Sequence, residues 1–285
     1  MSSTSTNINL LTPLNKLPLY GKRIMITAPR NYGIRLSEAI INQVGIPIFM
    51  PTIETCLLED YYELDNALKS VDKFDWITFT SRNGIDAFFT RLNGLNLPLS
   101  ELKAQVAAIG KDGERLADLG VNVALIPEVS SPEGIIKELT NIPGIEGQKV
   151  LVPIPKVMGI PEPDVVPNFL LGLKQLGLEV TAVPVYVTRC LDKKIYEVEL
   201  NLISEGKIDV VAFSSTGEIS AFLQMVEERN YDKCIIACFG PVTAANAAKL
   251  GLKVAIVAED YSSFAGYGKA ISAFFTGQGG ERSPC

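Results

Sequence analysis

Two short turns in this sequence, each rich in hydroxyl groups, have residues of the types that bind anions. One covers Phe213–Glu218 and reads FSSTGE, and the other covers Phe79–Gly84 and reads FTSRNG. Each follows an apolar segment typical of a buried parallel strand and precedes apolar residues at helical spacing. A strand that leads through such a turn into a helix presents hydroxyls and unpaired backbone N–H groups, which favour anions. Either turn alone is also typical of an ordinary helix cap, but two matching turns favour a shared cleft.

The candidate binding residues in these turns have a hydroxyl, an amide, a guanidinium or an accessible backbone N–H group. They are Thr80, Ser81, Arg82, Asn83, Gly84, Ser214, Ser215, Thr216 and Gly217. Two further loops open on a glycine after a strand and add Gly110, Lys111, Gly240, Pro241 and Thr243. Neither of these loops has the spacing of a dinucleotide-binding or P-loop motif, so nucleotide binding is not supported.

The sequence contains no histidine, which removes every nucleophile that depends on a Ser–His or Cys–His pair. Proton transfer would use Tyr, Lys, Asp, Glu, Cys, the backbone or water. Cys234 and Cys238 are four positions apart, and we interpret both as core residues of a strand rather than as zinc ligands. The odd number of cysteines, five, favours a reducing compartment. We therefore expect a cytoplasmic protein, or a stromal one if the host is a photosynthetic eukaryote.

Composition excludes two classes of partner. The 285 residues carry a net charge of −6, whereas a nucleic-acid-binding protein normally presents a basic face. No apolar run reaches the roughly 18 residues that a membrane span needs. We therefore expect neither a nucleic acid nor a membrane as a partner.

The elements that position these turns occur twice along the chain. The segment Gln148–Pro153 restarts the pattern of Lys22–Ala28, and each copy then alternates strands and helices over roughly 125 residues, the size of a domain. Short connections between alternating strands and helices predict parallel sheets covered by helices, here two flavodoxin-like α/β domains. We expect a loop over Ile154–Pro163. Ligands of such sheets bind at the carboxyl ends of the strands, where the hydroxyl-rich turns lie.

Several short motifs, taken together in order and spacing, resemble those of uroporphyrinogen-III synthases. They are the two turns at Phe79–Gly84 and Phe213–Gly217, then Pro184-x-Tyr186-x-Thr188 and Gly240-Pro241-x-Thr243-Ala244. The resemblance covers the chain from about Gly21 to Ile271. It implies two α/β domains joined by a two-stranded connector, with the active site in the cleft between the domains.

The resemblance also implies where these domains begin and end. Residues 20–52 and 190–275 would form one discontinuous domain, residues 53–189 the other, and residues 1–19 and 276–285 disordered tails. Pro51–Thr55 and Val185–Arg189 would be the connector strands. A monomer is the expected state for two such domains.

The activity implied is the cyclisation of hydroxymethylbilane, an open-chain tetrapyrrole with eight carboxylates. Loss of its hydroxyl and attack by ring D give a spiro intermediate, which recloses as uroporphyrinogen III with ring D inverted. No cofactor or metal is implied. Tyr186, which by residue type alone is an ordinary sheet aromatic, matches the tyrosine proposed as proton donor to the departing hydroxyl.

The sequence departs from the family pattern at two loops. Gly113 stands where the family often has a threonine, and Ile154–Pro163 lacks the Arg-Gly pair of many members. If that loop binds carboxylate in the family, here it would do so through its backbone or Lys156. A second interpretation stays open, that of a non-catalytic two-domain receptor that closes on an anionic metabolite. Tyr186 separates the two, because a receptor needs no phenol there.

Overall fold

The computed structural model describes residues 17–110, 112–227 and 231–277. These residues divide into two compact units. The first, here called the split unit, takes the described residues up to Glu54 together with those from Cys190 onward, and the second, here called the inserted unit, is Thr55–Arg189. The chain therefore passes from one unit to the other twice.

Strands and helices alternate along both units. In chain order they are β1 (Arg23–Ile26), α1 (Arg30–Ile41), β2 (Ile46–Phe49), β3 (Ile53–Cys56), α2 (Tyr62–Leu68), β4 (Trp76–Phe79), α3 (Arg82–Gly94), β5 (Gln105–Ala108), α4 (Asp112–Asp118), β6 (Val123–Leu125), α5 (Pro132–Thr140), β7 (Lys149–Met158), α6 (Val165–Gln175), β8 (Glu179–Cys190), α7 (Glu197–Ser204), β9 (Val210–Phe213), α8 (Thr216–Val226), β10 (Ile235–Cys238), α9 (Pro241–Lys249), β11 (Val254–Val257) and α10 (Phe264–Gly277). No helix within the described ranges is long and apolar enough to cross a membrane.

The sheet of the split unit has the order β11-β10-β9-β1-β2, and every neighbouring pair is parallel. Its middle strand, β9, is buried at all four positions because it carries only apolar residues and helices cover both faces. The sheet of the inserted unit has the order β3-β8-β7-β4-β5-β6, with parallel pairing from β8 to β6. The prediction of two parallel α/β sheets is confirmed.

The duplication extends to packing around β4 and β9. Phe79, the last residue of β4, meets Phe88 of α3 edge to face with ring centroids 5.4 Å apart. Phe213, the last residue of β9, meets Phe222 of α8 in the same way at 5.2 Å. All four rings are fully buried. Each pair fixes the helix against the strand directly below its hydroxyl-rich turn.

A second duplicated feature is a serine cap followed three residues later by glycine. Ser131 and Ser263 each accept a hydrogen bond, at 3.1 Å, from the backbone N–H of Gly134 and Gly266 respectively. A Cβ atom at Gly134 would lie 2.1 Å from the carbonyl oxygen of Val129, and one at Gly266 would lie 2.3 Å from that of Asp260. Both positions require glycine because backbone atoms approach so closely.

Gly134→Ala should therefore lower the free energy of unfolding by about 1–3 kcal/mol, since the Val129 backbone must move to admit a methyl group. Gly94→Ala is the matched control in the same unit. A Cβ atom at Gly94 would have no neighbour within 4 Å, and this change should stabilise α3 by about 0.5–1 kcal/mol. Urea denaturation of both variants measures the difference. Equal stability of Gly134→Ala and the unmodified protein would contradict the close approach.

The loop expected over Ile154–Pro163 is wrong in its first half, because β7 continues to Met158. Strand β8 pairs with it throughout, including Pro155 with Tyr186 and Lys156 with Val187. Strand β4 pairs with β7 only at Val150 and Leu151. Among the described residues, β7 therefore has no pairing with β4 beyond Leu151, and a strand with such an edge tolerates proline.

The expected tail boundaries also need correction within the described residues. Leu19 is fully buried and packs in the core with Ile24 and Ile40, so the ordered chain begins before residue 20. At the other end α10 continues to Gly277. Residues 1–16 and 278–285 lie outside the described ranges.

Cys234 and Cys238 are free thiols in the core of the split unit, which confirms their interpretation as core residues.

Candidate functional site

In the inserted unit, the candidate turn joins the end of β4 to the start of α3. Thr80 follows the strand, and Ser81 is the N-cap of α3, where its hydroxyl accepts a hydrogen bond from the backbone N–H of Gly84 at 3.1 Å. The first helical turn carries Arg82 and Asn83, and the Asn83 amide donates to the Thr55 hydroxyl at 3.4 Å. The helix therefore begins with its N–H groups and two polar side chains at the carboxyl edge of the sheet.

Tyr186 is the second component of this site. Strand β8 carries it next to the turn, so that its phenol oxygen lies 3.3 Å from the hydroxyl oxygen of Ser81, and either oxygen can donate the hydrogen bond. The side chain is only 7% exposed. Burial raises the pKa of Tyr186, while the hydrogen bond with Ser81 opposes the rise. The phenol therefore keeps its proton at neutral pH.

The next loop of the inserted unit contains Gly110 and Asp112. Gly110 follows β5 with a φ of +48°, a conformation that favours glycine. Lys111, also predicted to bind, lies outside the described residues. Asp112 begins α4, and burial, opposed by Arg82 and assisted by Asp86, raises its pKa from 3.8 to about 6. Sequence reasoning did not single out Asp112, because its partial burial depends on how the helices pack.

Asp112 should make the stability of the protein depend on pH. Its folded pKa lies above its unfolded one, so its contribution to stability is complete below pH 3.8 and disappears as the pH rises through about 6. We expect that Asp112→Asn removes this part of the pH dependence, whereas Asp118→Asn, at an exposed position on α4, leaves it intact. Urea denaturation at several pH values is the measurement. Parallel pH profiles for Asp112→Asn and the unmodified protein would refute the raised pKa.

The split unit holds the corresponding turn between β9 and α8. Ser215 is the N-cap of α8, and its hydroxyl accepts from the backbone N–H of Glu218 at 3.4 Å. Thr216 begins the helix, where its hydroxyl accepts a hydrogen bond from the Asn246 amide at 3.0 Å. The hydroxyl of Thr243 donates to the Ser214 carbonyl at 3.5 Å. The structure thus brings Ser214, Thr216 and Thr243 together, with Asn246 as a partner that sequence reasoning missed.

Gly240 and Pro241 form the start of α9 in the same unit. Gly240 is its N-cap and Pro241 occupies the first helical position, where a missing N–H removes no helical hydrogen bond. Thr243 lies in the first turn of this helix and is 8% exposed. The Gly-Pro-x-Thr sequence therefore positions one buried hydroxyl against the Ser214 backbone.

Glu218 is the largest omission of the sequence reasoning. Its side chain is 1% exposed, and its carboxyl group lies beneath the Ser214–Thr216 turn. One carboxyl oxygen, Oε2, accepts from the backbone N–H of Ser214 and lies near the Thr27 hydroxyl, both at 2.8 Å. The other, Oε1, hydrogen-bonds the hydroxyls of Ser214 and Ser215, the latter at 3.1 Å. Burial raises the pKa of Glu218, and these hydrogen bonds oppose the rise.

One sequence signal could have identified Glu218. A serine cap followed three residues later by glutamate is the capping-box spacing, and Ser215 and Glu218 match it. The equivalent position in the other turn is Gly84, where a Cβ atom would lie 3.1 Å from the Ser81 hydroxyl oxygen. The two turns are therefore alike in backbone and different in chemistry: a phenol hydrogen-bonds the capping serine in one unit, and a carboxyl group does so in the other.

Comparison with known proteins gives one family. The family described as uroporphyrinogen-III synthase HemD matches residues 34–266. A porphyrin biosynthesis protein HemD from Ruminiclostridium josui is 25% identical over 246 residues, which cover 86% of this chain and 47% of the relative. The chain thus spans about half the length of that relative. A uroporphyrinogen-III synthase from Synechococcus elongatus is 24% identical over 253 residues, which cover 86% of this chain and 92% of the relative.

A solved structure agrees with the fold. The crystal structure of a mutant uroporphyrinogen III synthase from Thermus thermophilus superposes with a TM-score of 0.68, at 15% identity, over 90% of this chain and 100% of that one. At this level of identity the likeness shows the fold alone. The family match is different in kind, because it covers most of the sequence, including both hydroxyl-rich turns and Tyr186. The chain belongs to the uroporphyrinogen-III synthase family.

Proposed function

We propose that the protein catalyses the cyclisation of hydroxymethylbilane to uroporphyrinogen III, with inversion of ring D and loss of water. The observation that carries this proposal is the family match across residues 34–266. The proposal includes a monomeric chain that needs no cofactor and that acts in the cytoplasm or, in a photosynthetic eukaryote, in the plastid stroma. It also takes the split unit and the inserted unit as the two domains of the enzyme.

The reaction makes two physical demands on the protein. It must hold a flexible chain of four pyrroles in a compact conformation, which is a proximity contribution to the rate. It must also help the hydroxyl group of the substrate to leave. Ring A becomes an electrophile, which ring D can attack, only when the C–O bond to this hydroxyl breaks. The first demand needs donors for carboxylates, and the second needs a protonated group beside the leaving oxygen.

Tyr186 is suited to the second demand. Burial keeps its phenol protonated at neutral pH, and the neighbouring Ser81 hydroxyl orients it. A phenol in this state donates a hydrogen bond to the departing oxygen and stabilises the negative charge that develops there. We assign it the role of proton donor in this step.

The hydroxyl-rich turns are suited to the first demand. Backbone N–H groups at the N-termini of α3 and α8, together with the hydroxyls of Thr80 and Thr216, offer donors to carboxylates, while Thr243 holds the Ser214 backbone in place. Local donors of this kind act at short range, so the net charge of −6 does not prevent a polyanion from binding. The receptor alternative is not favoured, because the relative from Synechococcus elongatus that matches 86% of the chain is named a synthase.

Isomer analysis tests the proposed activity. The purified protein is supplied with enzymatically generated hydroxymethylbilane, and the oxidised porphyrin products are separated by chromatography. Spontaneous closure gives isomer I, so we expect isomer III in proportion to the protein added. If protein shown to be folded gave isomer I alone, the proposed activity would be wrong and the receptor interpretation would remain.

A further inference from the structure

The buried carboxyl group of Glu218 controls where the hydroxyl protons of the neighbouring turn can point. Four possible donors surround it, namely the Ser214 N–H group and the hydroxyls of Ser214, Ser215 and Thr27. The single proton of Thr27 is shared with a second acceptor, the Ala212 carbonyl oxygen at 2.9 Å. If Glu218 is ionised, a carboxylate accepts hydrogen bonds only, so both serine hydroxyls must direct their protons inward. Ser214 and Ser215 then present only lone pairs outward, and lone pairs repel an anion.

A neutral Glu218 reverses this arrangement at Ser214. A protonated carboxyl group has one proton to donate. If Oε1 donates it to the Ser214 hydroxyl oxygen, the Ser214 proton is released and can point outward. Ser214 is partly exposed, so its hydroxyl can reach a ligand. Neutralisation also removes a negative charge directly beneath the turn.

The surroundings of Glu218 favour its neutral form. The causes of its pKa shift are burial, which comes first and raises the pKa, and hydrogen bonds from Ser214, Thr27 and Ser215, which lower it. No charged partner from the described residues is among these causes. The titratable groups that interact with it are Cys238 of β10 and Tyr267 of α10, whose pKa values are raised to about 12 and well above 10.0 respectively. Both stay uncharged near neutral pH, so among these three described residues Glu218 is the one that titrates.

From this geometry we propose that Glu218 is a positioning residue of the anion-binding turn: as a neutral acid it donates its proton to Ser214, whose hydroxyl then donates to a carboxylate of the ligand. The proposal rests on the proposed function for the identity of that ligand. It couples anion binding to protonation of Glu218. Affinity for a polycarboxylate should therefore fall by about tenfold per pH unit once the pH exceeds the pKa of Glu218.

Glu218→Gln is the decisive variant, because a glutamine side chain is uncharged at every pH and keeps N–H donors where the neutral acid has its proton. The probe is uroporphyrin III, the oxidised form of the proposed product, titrated by fluorescence across pH. We expect Glu218→Gln to bind with the affinity that the unmodified protein shows at low pH and to lose the pH dependence. Glu38→Gln, on the exposed surface of α1 in the same unit, should keep it.

A merely structural cap predicts a different result, namely the same pH profile for Glu218→Gln and the unmodified protein. That result would overturn the proposal, as would the absence of uroporphyrin III binding by the unmodified protein at every pH. Carbon NMR of the Glu218 carboxyl, assigned by its loss in Glu218→Gln, gives an independent titration midpoint. Thr27→Val should raise this midpoint, because it removes a donor that stabilises the charged form.

The two proposals fail separately. If the protein makes no isomer III but its uroporphyrin affinity follows the Glu218 titration, the activity is wrong and the positioning role stands. If it makes isomer III while Glu218→Gln keeps the original pH profile, the activity stands and the positioning role is wrong.

Discussion

Tyr186→Phe should reduce the turnover of hydroxymethylbilane by about 10²-fold or more, the usual contribution of a positioned general acid. Phenylalanine keeps the ring of a side chain that is 7% exposed and removes only the oxygen, which lies 3.3 Å from the Ser81 hydroxyl. The fold should therefore survive, and product affinity should change much less than turnover. The measurement is a comparison of kcat, from the rate of isomer III formation, with the affinity for uroporphyrin III.

Tyr196→Phe is the matched control for this substitution. Tyr196 is also buried and its pKa is also raised by burial, but it lies outside the candidate site. We expect its turnover to match that of the unmodified protein. If both variants lost activity equally, or if neither did, the proton-donor role of Tyr186 would be refuted.

Phe213→Ala should lower the stability of the split unit by about 3–5 kcal/mol. The Phe213 ring is fully buried, meets Phe222 edge to face and closes the core below the Ser214–Thr216 turn. Its removal leaves a cavity between β9 and α8 that close-packed neighbours fill only in part. Chemical denaturation followed by circular dichroism measures the loss.

Two comparisons make this prediction specific. Ile34→Ala, at a position that is 54% exposed in the same unit, should change stability by less than about 0.5 kcal/mol. Phe79→Ala is the equivalent core change in the inserted unit, whose unfolding is reported by the fluorescence of Trp76, the single tryptophan of the chain. A stability loss for Phe213→Ala no larger than that for Ile34→Ala would contradict the packing described here.

Local sequence determines most of the two sheets and the caps of the turns. The buried strands β4 and β9 read as apolar runs, and Ser81 and Ser215 follow them at the position that a helix N-cap requires, so their roles in the fold were predictable. The half of β7 that contains the prolines was not predictable from local sequence. Its strand character depends on which edge β8 occupies, and propensity along the chain does not carry that information.

The chemistry of the candidate site was harder to predict from the sequence. Glu218 reads as a polar residue of a surface helix, yet Thr27, 191 positions away, supplies one of its hydrogen bonds, and their meeting depends on β1 lying beside β9. Asp112 likewise acquires its raised pKa from tertiary burial. Residue type and spacing located the turns, whereas the protonation states within them depend on long-range packing.

The division of the chain has a consequence for how the protein folds as it is synthesised. Strand β1 lies inside its sheet between β2 and β9, and Asp209, which accepts a hydrogen bond from the Arg23 backbone, is 186 positions further along. While the chain emerges from the ribosome, β1 and β2 must wait for β9 with one sheet edge unpaired, whereas Thr55–Arg189 can already collapse. An inserted unit that folds early brings the two ends of the split unit near one another and shortens the effective loop that must close. Slow folding of Thr55–Arg189 would leave the apolar β1 exposed, and aggregation during synthesis would then compete with the late assembly of the first sheet.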